Sequence, residues 1–209
     1  MEVNTDITNK SWSNIDSITA QSYLKYYPTD TKISLAKFIQ SLDIESTILD
    51  IGCGNAQLYP ILKQFNDKFI YYGVDISDTL LEVASNSVSK KDFLIKQDLF
   101  KFLNTNTDRF TFTVFSHLLE CTESPDFMIN KAASISDYIA IIWYDPPRYE
   151  FDSASVAKNP HTSDDSSFKP FIRRKIGANY WKYITDNLNL QLVHTTKRDL
   201  KDVLEIYKT

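Results

Sequence analysis

Asp50, Gly52 and Gly54 stand together in Thr47-Ile48-Leu49-Asp50-Ile51-Gly52-Cys53-Gly54-Asn55-Ala56, a carboxylate beside two residues without side chains. The chain has only 4 glycines in 209 residues, so a pair in one loop marks a place that needs them. Glycine admits positive φ and lets a ligand approach the backbone closely. A second carboxylate, Asp75, follows about 20 residues past the glycines, a spacing that suits an acceptor for both hydroxyls of a ribose. Asp98 is a third. Further on, Ser116, His117 and Glu120 cluster. The imidazole of His117 titrates near neutrality and could take a proton from a reacting group. The set is suited to holding a nucleotide-like ligand with acid–base chemistry beside it.

These residues need elements to bring them together. Residues 47–51 are short, apolar and β-branched, as a buried parallel strand is. Gln57, Leu58, Leu62 and Phe65 then recur at helical spacing, so the glycines lie in a strand-to-helix turn. Residues 69–75 read as a second strand ending in Asp75. Ser77 caps a helix that carries Leu80, Leu81, Ala84 and Val88 on one side. Residues 93–99 form a third strand and its exit, and residues 110–115 a fourth, with Ser116, His117 and Glu120 at its carboxyl end. Residues 138–144 are a fifth strand. Residues 180–184 belong to a last helix, in which Trp181 and Tyr183 are expected to pack in the core. Residues 190–196 and 203–209 supply two closing strands. The expected fold class is α/β: a seven-stranded, mostly parallel sheet flanked by helices, with the last strand antiparallel.

The glycine segment resembles motif I of the class I, Rossmann-like, S-adenosylmethionine-dependent methyltransferases. Their first strand typically ends in an acidic residue followed by Gly-x-Gly, here Asp50, Gly52 and Gly54. A third glycine is common two residues later, where this chain has Ala56. The resemblance runs from about residue 31 to the end. It implies S-adenosylmethionine as methyl donor and assigns the donor site. Asp50 would lie near the aminoacyl end, with Gly52 and Gly54 allowing backbone contact. Asp75, followed by Ile76, would take the ribose. Asp98 and Leu99 would frame the adenine, and Ser116 would meet the donor's amino group. It also implies a hairpin of the last two strands, with the final strand inserted beside the fifth.

The acceptor would bind above the carboxyl edges of the first, fourth and fifth strands. An N-terminal helical arm within residues 1–30, including Tyr23 and Tyr27, is one expected roof. A substrate-lid insertion over residues 145–178 is another. A stretch of this length without secondary structure is usually a lid or disordered. It holds Tyr149, His161, Arg173 and Arg174, with a polar middle at residues 162–167. Candidate acceptor contacts are Tyr23, Tyr27, His117, Tyr144, Arg148 and Arg173. Methyl transfer from a sulfonium needs a base only when the acceptor carries a tightly held proton. His117 is the first choice for an oxygen acceptor; Asp145 or Glu120 could assist an amine. His194 falls within an expected strand and reads as structural.

Composition narrows the field. Length and 43% hydrophobic content suit a single domain over residues 1–209. No run approaches a membrane span and no signal-peptide pattern opens the chain, so a cytoplasmic protein is expected. Cys53 and Cys121 give neither a disulfide framework nor a metal set. Cys53 reads as a small space-filler. The net charge of −4 does not suit a nucleic-acid partner. Arg173-Arg174-Lys175 is too small to grip a duplex but sufficient for one anionic group, so the small-molecule acceptor is allowed to be anionic. Asp145-Pro146-Pro147-Arg148 looks like the Asp-Pro-Pro-Tyr motif of amino-methylating nucleic-acid enzymes. That motif follows the fourth strand and ends in an aromatic ring, whereas this one follows the fifth and ends in arginine. Two prolines more simply end a strand.

Two further readings stay open at this level. One is a non-catalytic relative that acts through binding. The other is a dinucleotide-dependent oxidoreductase, against which Gln57 stands where Gly-x-Gly-x-x-Gly wants its third glycine. Oligomeric state is not legible from one sequence.

Overall fold

A computed structural model of the chain describes residues 29–90, 92–158, 170–196 and 202–209, together with residues 9, 12, 13 and 15. Its main sheet has seven strands in the order β3-β2-β1-β4-β5-β9-β8. These are β1 (Ser46–Ile51), β2 (Phe69–Asp75), β3 (Phe93–Lys96), β4 (Phe110–Ser116), β5 (Ser136–Trp143), β8 (Gln191–Thr195) and β9 (Val203–Lys208). Strands β1 to β5 are mutually parallel, while β9 runs antiparallel to both β5 and β8. The expected closing hairpin is therefore present, with an irregularity between Leu192 and His194. The order reverses between β1 and β4, which opens a crevice at the carboxyl ends of those strands.

Alternate residues along each central strand feed two cores. Ile48, Phe112, Val114, Ala140, Ile142, Leu204 and Ile206 pack on one face. There they meet α1 (Asp30–Ser41), α2 (Leu58–Phe65) and α3 (Asp78–Ser85) through Leu35, Ile39, Leu62 and Ala84. Leu49, Phe115, Ile139, Ile141, Trp143, Val203 and Tyr207 point the other way. They pack against α4 (Leu99–Thr105), α5 (Pro125–Ile135) and α6 (Ala178–Asn187) through Leu103, Met128, Ala132, Trp181 and Ile184. Burial on both faces is why these strands read as continuous apolar runs. Local chemistry fixes the helix starts: Thr29, Ser77 and Asp98 each accept a backbone N–H at the head of α1, α3 and α4.

Two expectations change. The insertion at residues 145–178 is not structureless: β6 (Ser153–Lys158) and β7 (Pro170–Lys175) pair as an antiparallel ribbon, with Arg173 opposite Ser155. Its polar middle lies outside the described residues, as does His161. Tyr183 is 66% exposed rather than core, because α6 turns Trp181 and Ile184 inward and leaves Tyr183 on the opposite side. Of the N-terminal arm, Asn9 and Trp12 are helical and Ile15 packs with Leu80; Tyr23 and Tyr27 lie outside the described residues. Among the described residues no helix is long and apolar enough to cross a membrane.

Candidate active site

The turn after β1 is folded onto the end of β2. Gly52 and Cys53 both donate backbone N–H groups to the carbonyl of Val74, at 2.8 and 3.1 Å. Gly52 has φ +71° and Gly54 φ +54°, the left-handed region that glycine tolerates. A Cβ on Gly52 would also lie 3.1 Å from the side chain of Leu118. Ala56 adopts φ +56°, so this chain accepts at an alanine the strain that a glycine would avoid. Cys53 is buried, and burial first, then the charges of Asp75 and Asp50, push its thiol well up, which keeps it protonated. This fits the space-filling role.

Asp75 closes the turn. Its Oδ2 accepts from the Gly54 N–H and its Oδ1 from the Ser77 N–H, both at 2.9 Å. Each oxygen keeps a lone-pair direction for a further donor. Burial raises this carboxyl, and the backbone N–H groups of Ser77, Gly54 and Ile76 work against that rise.

Asp50 sits deeper. The Tyr71 hydroxyl donates to its Oδ2 at 2.6 Å, while Oδ1 is buried and meets no hydrogen-bond partner. Burial pushes its carboxyl up to about 6; the Tyr71 bond and the charge of Lys32 pull the other way. Lys32, in the first turn of α1, is itself buried and donates to Gln57 Oε1 at 3.0 Å. Its amine is lowered by burial, against the attraction of Asp50 and Asp202.

These groups line one cavity of about 600 Å³. Asn9, Trp12, Ile76, Leu80 and Leu99 line it, together with Lys32, Asp50, Gly52, Gly54 and Asp75. Ser116, His117, Glu120, Tyr144 and Asp145 line it from the exits of β4 and β5, and Arg173, Arg174 and Lys175 from β7.

Two expected residues do not line the cavity. Asp98 turns one oxygen into the cap of α4, accepting from the Lys101 N–H, and the other toward Asn9 Nδ2 at 2.7 Å. Asn9, not the carboxylate, is thereby presented at that corner. Arg148 is largely exposed and pairs with Asp145 Oδ1 at 2.8 Å. The remaining described candidates converge. His117, at φ +54°, stacks on Tyr144 with ring centroids 3.6 Å apart, and its Nε2 faces Asp202 at 3.5 Å. Asp145 also accepts from the Tyr149 hydroxyl. His194 shares a hydrogen bond with Ser34 and packs on Phe38, as a structural histidine does. Arg174 is tied to Asp152 and to the Glu123 carbonyl.

Sequence reasoning missed Lys32 and Gln57. The signal was present: Lys32, Leu35, Ala36 and Ile39 share one helical face, and a lysine within an apolar stripe is out of place unless it has a partner.

Residues 49–135 match the family model described as a methyltransferase domain. No curated protein matches the chain. Among solved structures, the CcbJ methyltransferase from Streptomyces caelestis superposes with a TM-score of 0.68 at 11% identity, covering 96% of this chain and 98% of that one. Magnesium protoporphyrin IX methyltransferase (ChlM) from Synechocystis PCC 6803, with bound SAH, gives 0.65 at 13%, covering 95% and 97%. A DhpI–SAH complex gives 0.70 at 12%, covering 97% of each chain. At such identities the likeness is one of fold. Residues 49–135 thus match a methyltransferase domain, and the chain as a whole has the Rossmann-like fold of the methyltransferases it superposes on, with the last strand antiparallel beside the fifth.

Proposed function

We propose that this domain transfers a methyl group from S-adenosylmethionine to a small-molecule acceptor, on oxygen or nitrogen. The observation that carries the reading is the cavity of about 600 Å³, which joins the glycine turn to a polar end lined by Ser116, His117, Tyr144 and Asp145. Its volume lies in the range of about 300–1,000 Å³ found for small-ligand sites. The donor fits the groups present. The unpartnered Oδ1 of Asp50 suits an ammonium, and the buried Lys32 suits the carboxylate of the same aminoacyl tail. The free lone pairs of Asp75 suit a ribose diol. A pyrophosphate would be repelled by this pair of carboxylates, which disfavours a dinucleotide.

S-adenosylmethionine supplies a methyl already activated on a sulfonium sulfur. The protein therefore mainly holds two reactants in line and keeps water out. Asp50, Lys32 and Asp75 would fix the donor at three points, with Ile76 and Leu99 against the base. The stacked His117–Tyr144 pair would form a flat wall for the acceptor. Arg173, exposed at the ribbon, and Lys175, whose amine lies 4.9 Å from the Tyr149 ring, favour an anionic acceptor. The ribbon β6–β7, within the insertion at 145–178, and the arm bearing Trp12 would act as lids. With a net charge of −4, no nucleic-acid partner is proposed, and free Cys53 and Cys121 fit a reducing, cytoplasmic setting.

Calorimetry with S-adenosylmethionine, its demethylated product and NADH tests the donor: the first two should bind and NADH should not. Turnover of methyl-labelled donor across amines, phenols, carboxylates and sugars, with a peptide pool and RNA as controls, tests the acceptor. Label appearing only in the macromolecular pools would refute the small-molecule reading.

A further inference from the structure

Glu120 lies on the short 3₁₀ turn Leu119–Cys121 that follows β4, and it is 5% exposed. Its Oε1 accepts two backbone N–H groups, from Tyr144 at 2.8 Å and Asp145 at 3.2 Å. These bonds tie the exit of β4 to the exit of β5 and fix the side chain at the cavity wall. Its other oxygen, Oε2, is buried and has no hydrogen-bond partner. A buried carboxylate oxygen left unpaired is costly, and one lining a ligand cavity is explained by a donor that arrives with the ligand.

His117 Nε2 and Asp145 Oδ1 are likewise buried without a hydrogen bond, but each faces a charged partner, Asp202 at 3.5 Å and Arg148 at 2.8 Å. Asp145 has Arg148 on one oxygen and the Tyr149 hydroxyl on the other. The ring face of His117 is covered by Tyr144, and its Nε2 is turned to Asp202. Building on the methyl-transfer reading, we infer that Glu120 Oε2 is the general base of the reaction, and that the acceptor is a proton-bearing nucleophile, a hydroxyl or a neutral amine.

The atoms balance without a further reactant. A lone pair on the acceptor oxygen or nitrogen forms the new bond to the methyl carbon. The carbon–sulfur bond breaks with its electrons remaining on sulfur. The acceptor's proton passes to Glu120 Oε2 and leaves to water after product release.

The surroundings set the proton affinity to suit. Burial lifts the Glu120 carboxyl to about 7; backbone N–H groups, its own included, oppose the rise and the charge of Asp145 adds to it. On the same turn, the Cys121 thiol is pushed up to about 12 and stays neutral. His117 faces the cavity from β4, Tyr144 and Asp145 from β5, and Arg173, Arg174 and Lys175 from β7. A base whose pKa lies near the working pH is the most effective kind.

The test uses the full chain, methyl-labelled donor and two kinds of probe: phenols and primary amines, which carry a proton, and iodide, which does not. Glu120→Gln keeps the shape and the Oε1 acceptor. It is expected to leave affinity for donor and demethylated product within about twofold in calorimetry, to slow methylation of the proton-bearing probes by about 10²-fold or more, and to spare iodide. The rate limb of the wild type near neutral pH should vanish in that variant, and Glu120→Asp should restore part of the rate. Equal losses on iodide and phenol, an unchanged rate in Glu120→Gln, or a wild type that binds donor yet methylates none of the proton-bearing probes would each overturn the assignment. A chain that binds neither donor nor demethylated product fails at the earlier step, and the base assignment falls with it.

Discussion

The division of labour between Asp75, Lys32 and Asp50 can be separated by choice of ligand. Asp75 holds the glycine turn through Gly54 and Ser77, and in the proposed function its remaining lone pairs would take the ribose. Asp75→Asn removes the charge and one acceptor at nearly constant shape. A hydrogen bond to a charged group is worth about 1.5–3 kcal/mol. Affinity for the demethylated donor should therefore fall by about 30-fold, measured calorimetrically; an unaltered affinity would remove the ribose assignment. Lys32 and Asp50 should matter only to ligands with an aminoacyl tail. Lys32→Met is expected to weaken the demethylated donor by about tenfold or more, a loss of about 1.4 kcal/mol, while 5′-methylthioadenosine, which has the nucleoside and sulfur but no tail, should bind as before. Equal weakening of both ligands would make Lys32 a structural residue. The glycines and Asp75 were legible because backbone geometry dictates their residue types. For Lys32 the local spacing marks only a lysine misplaced in an apolar helical face; that α1 brings it to the cavity lined by Asp50 is a long-range fact that such spacing does not encode. Asp98 differs: its place in the sequence fits the family pattern, yet in the structure it caps α4 and holds Asn9, and it is Asn9 that lines the cavity.

At the scale of elements, the two-faced strands made the sheet readable. Runs such as those of β1, β4 and β5 alternate between two cores, so apolar residues dominate both faces and the run itself is the signal. The ribbon β6–β7 was hidden for the opposite reason. Ser153 to Val156 are largely exposed and polar or small, and their pairing with β7 has no core periodicity to announce it. What fixes β9 in its antiparallel place beside β5 is a buried polar chain as well as apolar packing. Trp143 Nε1 donates to Glu205 Oε2 at 3.0 Å, the Tyr207 hydroxyl donates to the same oxygen at 2.8 Å, and Trp181 Nε1 donates to the Tyr207 oxygen at 3.0 Å. The chain joins β5, β9 and α6 on the face opposite α1. Glu205→Leu would leave the Trp143 and Tyr207 donors buried without that acceptor, at about 1–3 kcal/mol for each unsatisfied group. Denaturant unfolding should show a loss of about 2–5 kcal/mol, whereas Glu205→Gln should lose less because an amide oxygen still accepts. Equal effects of the two substitutions would mean that packing volume, not the hydrogen bonds, holds the strand.

For the whole molecule, the site should trade stability for function in a pH-dependent way. Asp50 and Glu120 are held at about 6 and about 7, against ordinary values of 3.8 and 4.5, with burial the largest cause for both. The folded chain therefore binds these two protons more tightly than the unfolded chain does. Below about pH 4 both states are protonated, and the full contribution of these groups is present. As pH rises, the unfolded carboxyls ionise first, and the contribution is lost through the window up to the folded values near 6 and 7. Each rise corresponds to about 3 kcal/mol. In the absence of donor, Asp50→Asn and Glu120→Gln should match the wild type in thermal stability at about pH 4 and exceed it at about pH 8, with the gap opening between. Saturating donor should narrow that gap for the Asp50 pair, because its ammonium stabilises the ionised carboxylate only in the wild type. Wild type gaining on the variants as pH rises would mean that both carboxylates are stabilised in their charged form by the empty fold, and the cavity would then be a structural ion-pair network rather than a site waiting for a cation and an acceptor.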